Sequence, residues 1–242
     1  MNGKNESCRL CRSEGDLRAS HILPEFLYGA LYDEKHRMLG VKPESNAKHE
    51  LLQKGIREYL LCAGCEQHLS RYERYAAEVL RGLPDLSQMK AGGVAKIPGV
   101  DYASFKLFQL SLLWRAGVSR QASFDQVRLG EHEVRLRKMI LTNDPGKPLD
   151  YGCVLIRPMG EPISELIKFP IHSRLLGHHA YQMVVWALIW IYVVSSHSTM
   201  IHEQGSFLGS DGTLPICIGT TTGSGFMAGL GRSLNKIGAL GN

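Results

Sequence analysis

Leu69, Tyr72, Tyr75, Ala76 and Leu80 recur at steps of three and four residues, with Arg71, Arg74 and Glu78 between them. That period predicts an amphipathic helix over about 66–81. A second helix is expected over 101–118, where Phe105, Phe108, Leu110, Leu112, Leu113 and Trp114 leave only Gln109, Ser111 and Arg115 as polar interruptions, so most of its circumference is apolar. A third opens at Gly130-Glu131-His132-Glu133 and runs to about Leu141, where Thr142-Asn143-Asp144-Pro145-Gly146 supplies a turn. Beyond Tyr151 the apolar runs shorten to Cys153–Ile156, Ile167–Ile171 and Met183–Val194, which read as strands joined by Pro158, Gly160, Pro162 and Gly177. The run Met183–Val194 is 12 residues long, short of the roughly 20 needed to cross a bilayer as a helix. Its Val, Ile, Trp and Tyr content favours a strand buried in the core. After about Ser206 glycine and threonine dominate, as expected of a flexible tail.

These elements describe an α+β chain. Ala91-Gly92-Gly93 and Pro98-Gly99 punctuate it, placing a boundary at about 90–100. The expected organisation is an N-terminal module over 1–90, a mixed helix and strand domain over 100–205, and a Gly-rich tail over 206–242. A composition of 44% apolar and 21% charged residues over 242 positions is that of a globular protein. The formal charge of +5 is spread evenly, with 15 basic and 13 acidic side chains in residues 1–100 and 13 and 10 in the remainder. No segment is an electrostatic funnel, so a nucleic-acid partner needs basic residues gathered by folding. The opening Met1–Ser7 lacks the apolar stretch of a secretory signal, which makes the cytoplasm the expected setting, and the shortness of Met183–Val194 leaves a membrane partner out of the reading.

The cysteines carry the clearest chemistry. Four of the six in the chain form two Cys-x-x-Cys pairs, Cys8/Cys11 and Cys62/Cys65. A tetrahedral Zn²⁺ takes four such thiolates in a closed structural site, and a reducing compartment favours zinc over a disulfide. Polar Ser13-Glu14-Gly15-Asp16 supplies a turn after the first pair, and Gly64 lies inside the second, where a positive φ costs little. Cys153 and Cys217, alone in apolar surroundings, read as small buried hydrophobes.

The segment Arg18-Ala19-Ser20-His21-Ile22-Leu23-Pro24, taken with Leu60-Leu61-Cys62-Ala63-Gly64-Cys65-Glu66, resembles the HNH, or ββα-metal, endonuclease superfamily over about residues 1–80. The resemblance implies a treble-clef zinc module, with the first knuckle ahead of a strand bearing an Asp-His-Ile-x-Pro-like motif and the second opening a helix. It implies metal-dependent hydrolysis of DNA in a microbial defence or mobile-element setting. His21 would be the general base, with a divalent Mg²⁺ or Mn²⁺ ion steadying the phosphate and the leaving oxygen. Where the family places an acidic or histidine ligand before the catalytic histidine, this chain has Ser20, a poor partner for Mg²⁺. Where the family has histidine or asparagine after the last cysteine, it has Glu66, a competent hard ligand. His68, two residues along the same helix, projects about 200° away from Glu66 and does not share its ion. The family's asparagine has no counterpart in Arg57-Glu58-Tyr59, for which Glu58 or Asp16 are the substitutes at hand.

The alternative readings remain open on sequence grounds. His21 also suits a structural role beside the zinc knuckle, with Ser20 as N-cap of the run from Pro24, and Glu66 suits the favourable end of a helix dipole. On that view the module is non-catalytic and binds nucleic acid or a protein partner. A third view gives residues 100–205 the functional role, including any protein partner, with zinc as scaffold. Weaker motifs are dismissed: His132-Glu133 lacks the second histidine of a zinc protease, since position 136 is leucine. Gly223-Ser224-Gly225 lacks the lysine of a phosphate loop, and His178 and His179, adjacent on a strand, point to opposite faces.

Overall fold

The computed structural model describes residues 6–35, 38–40, 50–52, 55–159, 167–175, 177–194 and 205–220. Strands β1 (Glu6–Ser7) and β2 (Glu14–Gly15) pair across the first Cys-x-x-Cys turn. Strand β3 (Leu17–His21) leads through Pro24 into a 3₁₀ helix over Glu25–Leu31. After the small antiparallel pair β4 (Met38–Gly40) and β5 (Glu50–Leu52), strand β6 (Arg57–Cys62) returns beside β3 with a bulge at Arg18/Ala19. Helix α1 (Ala63–Arg81) starts where β6 ends, and Cys65, Leu69, Tyr72, Ala76 and Leu80 form its buried stripe.

A six-stranded sheet forms the other layer. Its strands are β7 (Val94–Ile97), β8 (Cys153–Met159), β9 (Lys168–Leu175), β10 (His178–Val185), β11 (Leu188–Val193) and β12 (Leu214–Thr220). They lie in the order β7-β12-β8-β11-β10-β9, with β8 and β12 parallel and the remaining neighbours antiparallel. Helix α2 (Tyr102–Val118) packs between this sheet and the helices α1 and α3 (Glu131–Thr142). The Asp101 side chain caps α2 by accepting from the Ser104 amide at 2.8 Å. Because α2 is enclosed, even its polar residues Lys106, Gln109, Ser111 and Arg115 are buried. Lys106 donates to the main-chain oxygens of Pro148 and Tyr151, and burial lowers its pKa to about 8.

A single apolar core runs through both layers, from Leu10, Leu23 and Leu69 to Phe108, Trp190 and Ile216. Phe26 of the 3₁₀ helix lies 5.9 Å from the Phe108 ring and 6.0 Å from that of Trp186, which binds the N-terminal region to α2 and the sheet. A second cluster, including Val154, Val184, Ile189 and Phe207, occupies the opposite face of the sheet. No helix among the described residues is long and apolar enough to cross a membrane.

The chain is mixed α and β as expected, and the three helices fall where periodicity places them, with α1 opening earlier, at Ala63. The single strand read across Met183–Val194 is instead the hairpin of β10 and β11, turning at Trp186-Ala187, both at φ 56°. That turn carries none of the glycine or asparagine usual for positive φ. The sheet also extends beyond 100–205. Strand β7 precedes that range, and β12, within the expected tail, is held on both sides by β7 and β8. Leu214, Ile216 and Ile218 alternate inward there, so the glycine-rich composition concealed a core strand. The rest of that segment, 221–242, lies outside the described residues, as do Gly160 and Pro162.

Candidate metal centre and the His21 site

The sulfurs of Cys8, Cys11, Cys62 and Cys65 all lie within 4.8 Å of one another. Zinc–sulfur bonds of about 2.3 Å give a tetrahedron with edges of about 3.8 Å, and the Cys11 and Cys62 sulfurs are 3.8 Å apart. The local backbone is built to receive thiolates. Amides of Cys62, Cys11 and Leu10 point at the Cys8 sulfur, with that of Cys62 at 3.4 Å. Arg12, just after the first knuckle, takes a positive φ of 69°, whereas Gly64 sits inside the first turn of α1. Helical geometry spaces Cys62 and Cys65 so that both face the first knuckle.

Crowding sets the charge state of these thiols. Burial raises Cys65, and the neighbouring Cys8 charge raises it further. Burial opposes ionisation of Cys11 as well, but the Ser13 hydroxyl and amide together with the adjoining thiols bring it down to about 6. Four thiolates this close repel one another unless a cation is among them. The donor set therefore fits a metal such as zinc, and these four cysteines would hold it.

His21 stands at the far end of β3 from the cysteines, where it pairs with Arg57 of β6. Its Nε2 lies 2.8 Å from Arg57 Nε and 2.5 Å from Glu25 Oε2. One nitrogen cannot accept from Arg57 and donate to Glu25 at once. Burial, and then the Arg57 cation, lower the imidazole pKa, while Glu25 and Glu73 pull the other way without prevailing. The lowered pKa favours the neutral ring, in which Nε2 can accept from Arg57. Burial alone would raise the Glu25 carboxyl, but the Tyr32 hydroxyl and His21 hold it below its usual value. Underneath, Arg115 of α2 donates to the His21 main-chain oxygen at 3.0 Å and pairs with Glu73 of α1 at 2.7 Å.

The other sequence candidates sit elsewhere. Glu66 lies in the first turn of α1, its Oε1 buried without a hydrogen-bond partner among the described residues. His21 and Glu66 belong to no cluster of three or more metal-binding side chains there, the four cysteines being the one such cluster among the described residues. Ser20 is not a helix cap: it lies within β3, is 1% exposed, and its Oγ accepts from the Leu61 amide at 3.2 Å and donates to Arg18 O. His68 bonds the main-chain oxygen of Ile140 at 2.9 Å, tying α1 to α3. Glu58 receives the Ser119 hydroxyl and the Arg120 amide at the end of α2, and Asp16 is exposed at the opposite end of β3 from His21. His178 and His179 do diverge, but His179 Nδ1 meets His172 Nε2 across the strands at 3.0 Å.

Sequence reasoning passed over Glu25, Tyr32, Arg57 and Arg115. Only Glu25, four residues after His21, had a local signal. Compared with known proteins, the chain matches no family model, no curated protein and no solved structure.

Proposed function

We propose that the N-terminal region is a treble-clef zinc module of the HNH type that hydrolyses DNA phosphodiester bonds, with His21 as general base. The observation that carries this reading is the setting of His21: an imidazole nitrogen between a guanidinium and a carboxylate, on a strand pair clipped by four cysteines. A phosphate would draw Arg57 away from Nε2, leaving that lone pair to take a proton from water. Glu25 Oε2 then receives the Nε2–H of the imidazolium. The hydroxide attacks phosphorus, the bond to the leaving oxygen breaks, and that oxygen takes a proton from solvent. Mg²⁺ or Mn²⁺ would be shared with the substrate phosphate, as Mg²⁺ sites with one or two carboxylates are, and Glu66 remains the sequence's own suggestion for such a ligand.

A second reading, a non-catalytic zinc module that binds nucleic acid or a protein partner, is favoured by Ser20, which is committed to the interior. The two are separated by incubating zinc-loaded protein with single-stranded and duplex DNA, with and without added Mg²⁺ or Mn²⁺, beside His21→Ala of equal zinc content. Ion-dependent cleavage lost in the variant supports the nuclease. A zinc-loaded, folded wild type that leaves both substrates intact removes it.

A further inference from the structure

We propose that the outer face of the β3–β6 hairpin, carrying Tyr59, Arg57 and His21, docks single-stranded DNA, with Tyr59 as a base-stacking platform. The choice of DNA rests on the nuclease reading; the platform itself rests on register. Ala19 lies opposite Tyr59 and His21 opposite Arg57, with Ser20 opposite Glu58 between them. Directly opposed residues share a face and successive residues alternate, so Ala19, Tyr59, His21 and Arg57 form one face while Ser20 and Glu58 form the other. Both members of that other face are engaged, Ser20 in the interior and Glu58 at the end of α2.

The outer face is open. Tyr59 is 43% exposed and is the one aromatic among the exposed large hydrophobic residues described. Its cross-strand partner, Ala19, is too short to cover the ring. Diagonal neighbours on a sheet face lie about 7–8 Å apart, so a base on Tyr59 brings its phosphate to Arg57 and His21. The chain's modest charge makes stacking the main source of affinity here, which is the mode of single-strand binders. Duplex DNA keeps its base faces against one another and offers Tyr59 nothing to stack on.

The test measures fluorescence anisotropy of labelled oligothymidylate with zinc-loaded His21→Ala protein, in which binding is read without cutting. Adding Tyr59→Ala should weaken binding about tenfold, Tyr59→Phe should retain it, and Arg57→Gln should flatten its salt dependence. Unchanged binding by a Tyr59→Ala protein of normal zinc content and melting temperature overturns the proposal, as does tighter binding of duplex DNA or of oligouridylate. Binding through Tyr59 by a protein whose wild type never cuts leaves this surface standing and removes the nuclease reading alone.

Discussion

Arg115 Nη1 lies 3.0 Å from the main-chain oxygen of His21, although 94 residues separate the two in sequence. The same guanidinium is 2% exposed and pairs with Glu73, so one buried cation from α2 fixes both the end of β3 and the middle of α1. The candidate site is thus built on the second helix as much as on the cysteine clip. Arg115→Met leaves Glu73 and the His21 carbonyl without their donor, and breaking a buried pair from one side costs about 3 kcal/mol. Urea unfolding should show that loss. Glu73→Gln keeps an acceptor but leaves the buried Arg115 cation without its counter-charge, so it should also destabilise, and the double variant should fall short of the sum of the two, as expected of coupled residues.

Metal removal should act regionally. Binding of a structural zinc contributes on the order of 10 kcal/mol in small zinc modules, comparable with the whole stability of a domain. Cys11→Ser or Cys62→Ser is expected to release the metal and to abolish amide-exchange protection in β3, β6 and the first turns of α1. Strands β10 and β11, buried on both faces, should keep theirs. Cys153→Ser should retain the full zinc content, since Cys153 lies on β8, outside the sulfur cluster.

The helices and the cysteine clip were legible because each is a local signal: a 3.6-residue period in one case, the Cys-x-x-Cys spacing in the other. The turn at Trp186-Ala187 was not. Neither residue is a usual occupant of positive φ, and the conformation is held from outside, with Trp186 Nε1 bonded to Leu80 O at 3.1 Å and its ring against Phe26. The same limit applies to His21. Its position between the two cysteine pairs could be read from the sequence, but Arg57 lies 36 residues away and reaches it through strand register, and Arg115 comes from another element altogether. Strand β12 was hidden by composition, since Gly219 and Thr220 follow an alternation of Leu214, Ile216 and Ile218 too short to stand out.

His21 should make the fold acid-sensitive. Burial, and then Arg57, hold its folded pKa below the ordinary 6.5. The unfolded chain therefore takes up a proton as pH falls through about 6.5 while the folded protein does not, so stability is undiminished above that pH and declines below it. His132, also lowered by burial first, adds to the same trend. Melting temperatures from pH 7 to pH 5 should fall more steeply for wild type than for His21→Gln. An NMR titration of Arg57→Gln should place the His21 pKa higher than in wild type, because the Arg57 cation is one of the influences that depress it, beside burial and Arg115.

On the proposed HNH reading Ser20 would stand where a metal ligand is expected, and the strand register decides what a ligand would do there. Pairing with Glu58, not with Arg57, turns its side chain away from the face that holds His21. Ser20→Asp therefore does not build a metal site beside His21. It places a carboxylate at a position 1% exposed, on the same face as Glu58. The cost of burying such a charge without a cationic partner is several kcal/mol, and the new carboxyl should titrate above the usual carboxylate range, since burial disfavours its ionised form. Ser20→Ala removes the acceptor of the Leu61 amide and should cost about 1–3 kcal/mol. Thermal unfolding of the two variants, with Mn²⁺ affinity followed by its paramagnetic relaxation, checks both statements. A Ser20→Asp protein as stable as wild type that gains a Mn²⁺ site would place residue 20 on the His21 face and overturn the register argument.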